Sequence, residues 1–467
     1  MADSRAPTAL GAEEDAARSY AQQALDVAAD VAGPGAHIAV TAEVGTAALA
    51  RFAQSSIHQS VTEDVRQLTL SITLDGRTAD VSGSAEGWPG ADGLRRLATA
   101  ALTAARLRPV DPHWPGLAPP APVAGSSHAD RATADATAAE RAALVAAFVE
   151  AGGGLETAGF CSTRGTATAF ANTDRQQAAG SVTAATIDGI ARQPGGEPAP
   201  ADGSGRASST RLHDLDASAA GLHAARLARA AAESPVDVSP GEYVVVLRPG
   251  AVVDVLSWLA TGLSARAHSE GRSFARPGEQ QFDELITLRC DPFDERMPTL
   301  GFDAQGTPRT AYSMIADGVT GELASDRRDA ATIDGVHSNG GSLQHRYLTS
   351  ATAPALLLRP GSEAPDELYA GLRQALLITD FWYTRLLDPR RLVVTGLTRN
   401  GIFLIEDGVI ARPVRNVRFT QAYAEALAPG HVIGIDGESV LTESDPAPVH
   451  TPGLALTSWA ITGGAQG

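Results

Sequence analysis

Two histidines flank a Gly-Gly turn in residues 335–346, whose sequence is GVHSNGGSLQHR. If this segment folds as a hairpin, His337 and His345 lie opposite each other. Imidazole nitrogens are good zinc ligands, but a zinc site needs a third ligand, and a hydrolytic site also needs a general base. The spacing alone therefore leaves a zinc site and a plain surface turn open.

Two other polar patterns have the composition of a catalytic site without the context that catalysis requires. Ser204 lies between two glycines, but residues 193–209 are rich in Pro, Gly and Ser. That composition predicts a mobile loop rather than the strand-turn-helix of a nucleophile elbow. His268 and Glu270 form a pair without a second histidine one helical turn away, which favours an exposed helix end.

The charged residues exclude several functions. The chain has 37 basic residues, all of them arginine, and 54 acidic residues, which gives a net charge of −17. Without lysine, the chain cannot form a lysine Schiff base or a phosphate-binding loop that ends in Gly-Lys. A strongly acidic chain repels a phosphate backbone, so we expect no nucleic-acid partner.

Cysteine content and hydropathy bear on the cellular compartment. Cys161 and Cys290 are the only cysteines, too few for a disulfide framework or a cysteine zinc cluster. No window approaches 18 uninterrupted apolar residues, and the first residues lack an apolar core of signal-peptide length. We therefore expect a cytoplasmic protein that does not span a membrane.

The length and the order of the elements predict a multidomain α+β protein. With 467 residues, the chain exceeds the size of a single hydrophobic core. Strands and helices do not alternate regularly, which favours mostly antiparallel sheets with flanking helices. Shifts in composition divide the chain into a mixed α/β N-terminal domain at 1–110, a central region at 111–235 and a β-rich C-terminal domain at 236–467.

Periodicity places the individual elements. Alternating apolar residues at 66–74 predict a strand that turns at Asp75-Gly76. Residues 155–172 and 176–191 predict a hairpin whose small side chains on both faces do not require deep burial. Helices are predicted at 12–32, 92–107, 138–151, 214–233, 251–267 and 366–380, a strand at 242–247 and a linker at 109–135.

Three segments, in this order along the chain, follow the pattern of a known family. They are residues 51–59 (RFAQSSIHQ), residues 244–250 (VVVLRPG) and residues 401–408 (GIFLIEDG). The first is similar to a segment near the N-terminus of TldD/PmbA proteins, once named modulators of DNA gyrase. The second resembles the strand and turn before the family's central helix, and the third resembles a hairpin of the family.

The resemblance also shows where the chain departs from the catalytic members. Those members carry His-Glu-x-x-x-His on the central helix, where two imidazoles bind zinc and the glutamate acts as general base. In a gap-free alignment from Val244, these positions are Ser257, Trp258 and Gly262. A hydroxyl, an indole and a bare backbone cannot replace them. The family's C-terminal cysteine ligand has no counterpart either, so we expect no metal and no catalytic residue in this chain.

The same departure is seen in TldE-type subunits of the family. The resemblance implies a non-catalytic subunit in a hetero-oligomer with a TldD-like catalytic subunit, which would bind the zinc. The complex would hydrolyse unfolded or modified peptides, or amide-bearing biosynthetic intermediates. A protein-binding modulator or scaffold without proteolytic activity is the alternative, and an autonomous hydrolase with an unrecognised site is a third possibility.

The resemblance further implies a substrate chamber. In the family, the segment at 335–346 lies toward a shared cavity, and the segment at 51–59 could wall that cavity or pair with an extended peptide. The chamber candidates are therefore His337, Asn339, His345, Arg346, Arg51, Gln54 and His58. For the last three, a sheet-edge strand with outward polar residues is the structural alternative.

Trp382 and Tyr383 form the densest aromatic cluster in the sequence. We expect them to anchor the end of the helix predicted at 366–380 in the C-terminal core. A flat aromatic patch that contacts a partner is the alternative, because such residues are enriched in interface hot spots.

Overall fold

A computed structural model describes residues 9–84, 90–124, 128–194, 201–343 and 351–464. The helices are α1 (Ala9–Ala32), α2 (Gly90–Leu107), α3 (Arg131–Ala134), α4 (Ala138–Ala151), α5 (Ala217–Ala231), α6 (Pro249–Gly262), α7 (Ala265–Ser269), α8 (Arg327–Thr332), α9 (Glu367–Ala370) and α10 (Tyr423–Ala426). None of these described helices has the length and apolar character needed to span a membrane.

The strands are β1 (His37–Ala53), β2 (Ser56–Leu74), β3 (Arg77–Ser84), β4 (Glu156–Asn172), β5 (Gln177–Gln193), β6 (Ala201–Ser209), β7 (Gly241–Leu247), β8 (Leu288–Cys290), β9 (Tyr312–Ala316), β10 (Val319–Thr320), β11 (Leu356–Leu358), β12 (Gln374–Asp388), β13 (Val393–Glu406), β14 (Val409–Pro413), β15 (Val417–Ala422), β16 (Val432–Ile435), β17 (Val440–Thr442), β18 (Val449–Thr451) and β19 (Leu454–Gly464). They form three sheets, mostly antiparallel, which confirms the predicted α+β class with flanking helices.

The first sheet contains strands from both parts of the N-terminal half, in the order β3-β2-β1-β4-β5-β6. β1 pairs with β2 before the linker and with β4 after it, so the sheet continues across the predicted boundary at residue 110. The predicted turn at Asp75-Gly76 is confirmed, because the φ angles of these residues are 51° and 69° between β2 and β3. The three-part division of the chain stays a prediction.

Helices α1, α2, α4 and α5 cover one face of this sheet with alanine-rich surfaces. From α1 and α5, the buried alanines are Ala17, Ala21, Ala24, Ala28, Ala217, Ala220, Ala224, Ala225 and Ala228. Because alanine is small, the helix axes can lie close to the strands. The core of this half therefore depends on close backbone approach more than on large side chains, as expected from an aromatic content of 5%.

The other face of the sheet packs against the C-terminal half, so the shallow burial predicted for the small-residue hairpin is wrong. Residues 178–187 of β5 are all buried. Phe170 of β4 packs against Phe302, and the Gln176 side chain donates a hydrogen bond to the Gly306 carbonyl oxygen at 2.7 Å. Small side chains on both faces here allow packing from both sides, a pattern that the sequence does not distinguish from exposure.

The predicted mobile loop at 193–209 is wrong where β6 forms the edge of the first sheet. Residues 195–200 lie outside the described part of the chain. A Cβ atom at Gly205 would lie 2.0 Å from the Ala220 carbonyl oxygen in α5, and Gly203 approaches the same helix at a similar distance. Alternating glycines in this strand thus mark a helix that lies directly on the strand backbone.

The C-terminal half contains two sheets with α6 packed between them. One sheet has the order β10-β9-β8-β11-β18-β17. The other has the order β12-β7-β19-β15-β13-β14, with β16 beside β19, and an additional pairing of β12 with β13 closes five strands into a ring. Helix α6 contacts β12 in the ring and β18 in the second sheet. Its buried side chains join the largest hydrophobic core cluster among the described residues.

The helix predicted at 366–380 is wrong, because α9 is a single turn and β12 follows it. β12 is a strand because it pairs with β13 and with β7, which is distant in the sequence. Phe381 stacks on Trp459 in the core, with ring centroids 5.2 Å apart. Trp382 and Tyr383 are 49% and 67% exposed, so the predicted core anchor is also wrong for these two residues.

We predict that Gly205→Ala lowers the free energy of unfolding by about 3 kcal/mol, because the new methyl group would overlap helix backbone that cannot move without shifting α5. Gly463→Ala is the matched control in strand β19, since a Cβ atom there would meet nothing within 4 Å. Chemical denaturation of both variants measures the difference. Equal stability of the two variants would contradict the close packing of β6 under α5.

Candidate functional site

A cleft of about 640 Å³ lies between the first sheet and the C-terminal half. One wall consists of β5, β6 and α5, and the other consists of the start of α6 together with C-terminal strands and loops. Its ionisable residues are Asp188, Arg206, Asp216, His223, Arg248, Asp366, Asp380, Asp436 and Glu438. A cavity in which several ionisable groups converge is the natural candidate for a binding site.

Asp380 connects the two walls of the cleft. Its Oδ2 atom accepts hydrogen bonds from Ser204 Oγ at 2.8 Å and from Asn400 Nδ2 at 3.1 Å. A Cβ atom at Gly250 would lie 2.2 Å from Asp380 Oδ1, so this carboxylate lies against the first turn of α6. The amino end of a helix carries partial positive charge and stabilises an anion there. Because residue 250 is glycine, the Asp380 carboxylate has room at this position.

Asp188 and Arg206 form an ion pair across β5 and β6. Arg206 Nε donates to Asp188 Oδ2 at 2.7 Å. Burial raises the pKa of the Asp188 carboxyl, and the ion pair with Arg206 opposes this rise. The nearby Asp380 carboxylate raises the pKa further. Asp188 on one wall of the cleft is therefore paired with a cation, and the Asp380 carboxylate of the other wall lies near it.

Arg248 and His223 lie in the same part of the cleft. Arg248 pairs with Asp366 at 3.2 Å, and the Tyr369 hydroxyl donates to the same carboxylate at 2.8 Å. The hydrogen bond from Tyr369 and the one from Arg248 hold the pKa of Asp366 below its usual range. Partial burial lowers the pKa of His223, and the charges of Arg248 and Arg226 lower it further. The lowered pKa favours the neutral imidazole, which has one N–H donor and one acceptor nitrogen.

A smaller cavity of about 320 Å³ adjoins the cleft and shares Arg206, Ala207 and Val440 with it. Its far end includes His450, whose pKa is lowered by burial and by the charge of Arg296. The two cavities together form a groove along β6. Such a groove suits an extended ligand better than a compact one.

The helix positions aligned with the zinc motif do not fit a zinc ion. A Cβ atom at Gly262 would lie 2.3 Å from the ring of Phe274, so no side chain can extend from this position. Trp258 Nε1 donates to Thr384 Oγ1 at 3.1 Å, and the Ser257 hydroxyl lies 3.3 Å from the hydroxyl of another serine. Within the described residues, no group of three or more His, Cys, Asp or Glu side chains is placed to hold a metal.

Asp254 is the one ionisable residue of α6, and its carboxylate is buried in the core. Its two oxygens accept hydrogen bonds from Thr384 Oγ1 at 2.7 Å and from the Tyr423 hydroxyl at 2.8 Å. Burial raises the pKa of Asp254, and both hydrogen bonds lower it. Shifting the alignment along α6 therefore does not restore the zinc motif, because the helix contains no His, Cys or Glu.

The residues predicted near the N-terminus lie apart from the cleft. Arg51, Gln54 and His58 are exposed on the hairpin of β1 and β2, and none of them lines the cleft. β1 is an inner strand paired on both sides, so the edge-strand interpretation fails for Arg51. For His58 it is confirmed, because β2 is at the sheet edge there.

The residues predicted around the Gly-Gly turn are not brought together in the described structure. Asn339 is buried, donates to the Leu323 carbonyl oxygen at 2.9 Å and accepts from the Ser325 amide at 2.9 Å. His337 is exposed and does not line the cleft. His345 and Arg346 lie outside the described residues. A chamber role for this set stays a prediction.

Sequence reasoning missed most of the cleft residues. Asp188 lies in a strand predicted to need little burial, and Asp380 lies in a segment predicted to be helical. Two local signals were present, namely the glycines on either side of Ser204 and the Pro249-Gly250 pair. Proline at the first position of a helix followed by glycine is typical of a helix start at which another group approaches closely.

The chain is similar to known proteins in sequence over its C-terminal half and in fold over nearly its whole length. Residues 240–463 match the profile of the PmbA/TldA metallopeptidase C-terminal domain. No curated protein matches the sequence. Among solved structures, TldE from Thermococcus kodakarensis superposes with a TM-score of 0.82 at 15% identity, over 95% of this chain and 99% of that chain.

Two proteins described as proposed modulators of DNA gyrase are also similar in structure. The one from Bacteroides thetaiotaomicron has a TM-score of 0.80 at 18% identity, over 95% of this chain and 98% of its own. The one from Thermotoga maritima has a TM-score of 0.78 at 14% identity, over 94% of this chain and 100% of its own. At such identities, these superpositions establish the shared fold.

We predict that Gly262→Ala lowers the free energy of unfolding by about 1–3 kcal/mol, because the methyl group would overlap the Phe274 ring. Adding Phe274→Leu should recover part of the loss, which a double-mutant cycle of denaturation curves would measure. Gly371→Ala is the control, since a Cβ atom there meets nothing within 4 Å. A fully stable Gly262→Ala variant would show that this position has room for a ligand side chain.

Proposed function

We propose, from the match of residues 240–463 to the PmbA/TldA metallopeptidase C-terminal domain, that this chain is a non-catalytic, TldE-like subunit of a zinc peptidase. A TldD-like partner in the hetero-oligomer would bind the zinc and carry the catalytic residues. This chain would complete the substrate chamber. The substrates would be unfolded or modified peptides, or amide-bearing biosynthetic intermediates.

The main support for this proposal is that α6 contains no His, Cys or Glu. By the sequence resemblance, α6 corresponds to the helix on which the catalytic members hold their metal. In this chain, Phe274 fills the space at Gly262, and Trp258 donates a hydrogen bond to Thr384. The fold shared with TldE over nearly the whole of both chains supports the same assignment. A chain with this fold and without metal ligands on α6 can contribute binding surface but not zinc chemistry.

The cleft supports a role in binding peptides. The carboxylates of Asp380 and Asp188 can accept hydrogen bonds from amide N–H groups, and the Arg248 guanidinium can donate to amide carbonyl oxygens. Such groups on opposite walls would hold an extended peptide by its backbone. The continuous groove along β6 would then orient the peptide toward the active site of the partner.

An exposed aromatic patch favours a second candidate, a protein-binding modulator or scaffold without proteolytic activity. The Arg399 guanidinium lies 4.1 Å from the ring centroid of Trp382, and the Arg385 guanidinium lies 4.8 Å from that of Tyr383. Exposed aromatic and arginine side chains are enriched at protein interfaces. Under this candidate, partner binding would be the whole function.

We predict that this chain binds less than a tenth of an equivalent of zinc when purified alone and cleaves no peptide, because α6 offers no ligands. Mixed with a TldD-like chain from the same host, it should support peptide cleavage. Asp380→Asn combined with Arg248→Ala should lower kcat/KM of the mixture about tenfold, through the loss of charged hydrogen bonds to substrate. Metal analysis and a fluorogenic peptide assay provide the measurements.

Glu425→Gln is the control for the cleft variant, because Glu425 is exposed and pairs with Arg391 away from the cleft. It should leave the activity of the mixture unchanged. Cleavage by this chain alone with a full equivalent of zinc would contradict the proposal. Binding of the TldD-like chain without any gain in peptide cleavage would favour the modulator instead.

A further inference from the structure

The groove along β6 carries different charges at its two ends. Among the described residues, the cleft end is lined by six carboxylates and two guanidinium groups, an excess of four negative charges. The smaller cavity at the far end is lined by three guanidinium groups and two carboxylates, an excess of one positive charge. Arg206 lies where the cavities join and is counted at both ends. A ligand along the groove therefore meets a strongly negative potential at one end only.

Most of the negative charge of the cleft is not balanced by cations of the protein. Asp188 pairs with Arg206, and Asp366 pairs with Arg248. The other four carboxylates of the cleft make no ion pair with any residue that the structure describes. They are Asp216, Asp380, Asp436 and Glu438.

Asp216 and Glu438 are the two of these carboxylates that solvent reaches most freely. Both side chains are exposed, whereas Asp436 is buried and accepts backbone N–H hydrogen bonds with both oxygens. Asp216 belongs to the wall formed by α5, and Glu438 belongs to the wall formed by the C-terminal half. A cationic group of a ligand between the walls is attracted from both sides.

The far end offers a guanidinium group to an anion. Arg211 follows β6 directly, is exposed and makes no ion pair with a described residue. Arg296, on the opposite wall, is already held by Asp294 at 2.6 Å. Asp214 and Glu295 also line this end, so an anion here gains less than a cation gains in the cleft.

The length of β6 sets the spacing between the two ends. Ser204 lies at the cleft end, where it donates to Asp380, and Thr210 lines the far cavity six residues later. At about 3.3 Å per residue, the ends are about 20 Å apart along the strand. An extended peptide has the same rise, so its first and seventh residues reach the two ends.

We propose that the groove selects extended peptides with a basic side chain at the cleft end and an acidic side chain about six residues away, beside Arg211. This inference rests on the proposed function, because it names the class of substrate that the same cleft would take. Peptides with acidic side chains in the cleft are poor ligands, since they meet carboxylates without ion pairs on both walls.

Fluorescence anisotropy with the chain purified alone tests this selection. The probe is a labelled heptapeptide, blocked at both termini, with arginine at one end, glutamate at the other and five small neutral residues between them. Replacing its arginine by citrulline, a neutral side chain of the same shape, should weaken binding about fivefold. Replacing its glutamate by glutamine should weaken binding about twofold, because the far end is nearly balanced in charge.

Two variants of the chain locate each end of the peptide. Asp216→Asn combined with Glu438→Gln should bind the parent peptide about fivefold more weakly and should no longer distinguish arginine from citrulline. Arg211→Gln should lose the preference for glutamate over glutamine and keep the preference for arginine. Such paired losses place the basic end of the peptide in the cleft and its acidic end beside Arg211.

Glu425→Gln and Arg391→Gln are the matched controls. These two exposed residues pair with each other and line neither cavity, so the variants change the net charge without changing the groove. Both should bind the parent peptide as the unmodified chain does. An equal loss in the controls would show a general charge effect and would contradict a site in the groove.

The proposal is overturned if the arginine and citrulline peptides bind equally, or if the parent peptide does not bind at millimolar concentration. It is equally overturned if Arg211→Gln removes the preference for arginine. The assay needs no catalytic partner. Charge-selective binding without cleavage by the mixture would therefore contradict only the proposed function, and cleavage without charge preference would contradict only this inference.

Discussion

The close contact between β6 and α5 is the constraint on which the cleft depends. Gly205 and Gly203 bring the strand onto the helix backbone, and Gly221, next to Ala220 in α5, allows the helix to approach the Phe148 carbonyl oxygen in α4. With one face of β6 held in this way, its other face is turned toward the C-terminal half. Ser204 and Arg206 alternate with the glycines and therefore reach the cleft. The small residues on one face of β6 and the polar residues on its other face thus form part of one wall of the cleft.

Helix α6 links the fold to the proposed role. Thr384 accepts a hydrogen bond from Trp258 and donates one to Asp254, which also accepts one from Tyr423. These hydrogen bonds give partners to the Trp258 and Asp254 side chains of α6. A network in which every polar group has a partner is rigid. Together with Gly262 under Phe274, it makes α6 a structural helix. The amino end of the same helix remains at the cleft, where it faces Asp380.

The sequence predicted those parts of the fold that local patterns control. The helices at 92–107 and 138–151 and the turn at Asp75-Gly76 were found, because helix periodicity and turn chemistry act over a few residues. The segments 193–209 and 366–380 were predicted wrongly, because non-local pairing in β6 and β12 overrides their composition. The cleft could not be predicted at all, since its residues come from distant segments that meet only in three dimensions.

The most direct test of the account is anomalous X-ray diffraction at the zinc edge, on crystals of this chain bound to a TldD-like partner. The account predicts one anomalous zinc peak for each pair of chains, located in the partner. It predicts no anomalous peak around α6 of this chain. A zinc peak within bonding distance of any residue of α6 would contradict it. Such a peak would mean that Gly262 and its neighbours rearrange to form a metal site that the present packing excludes.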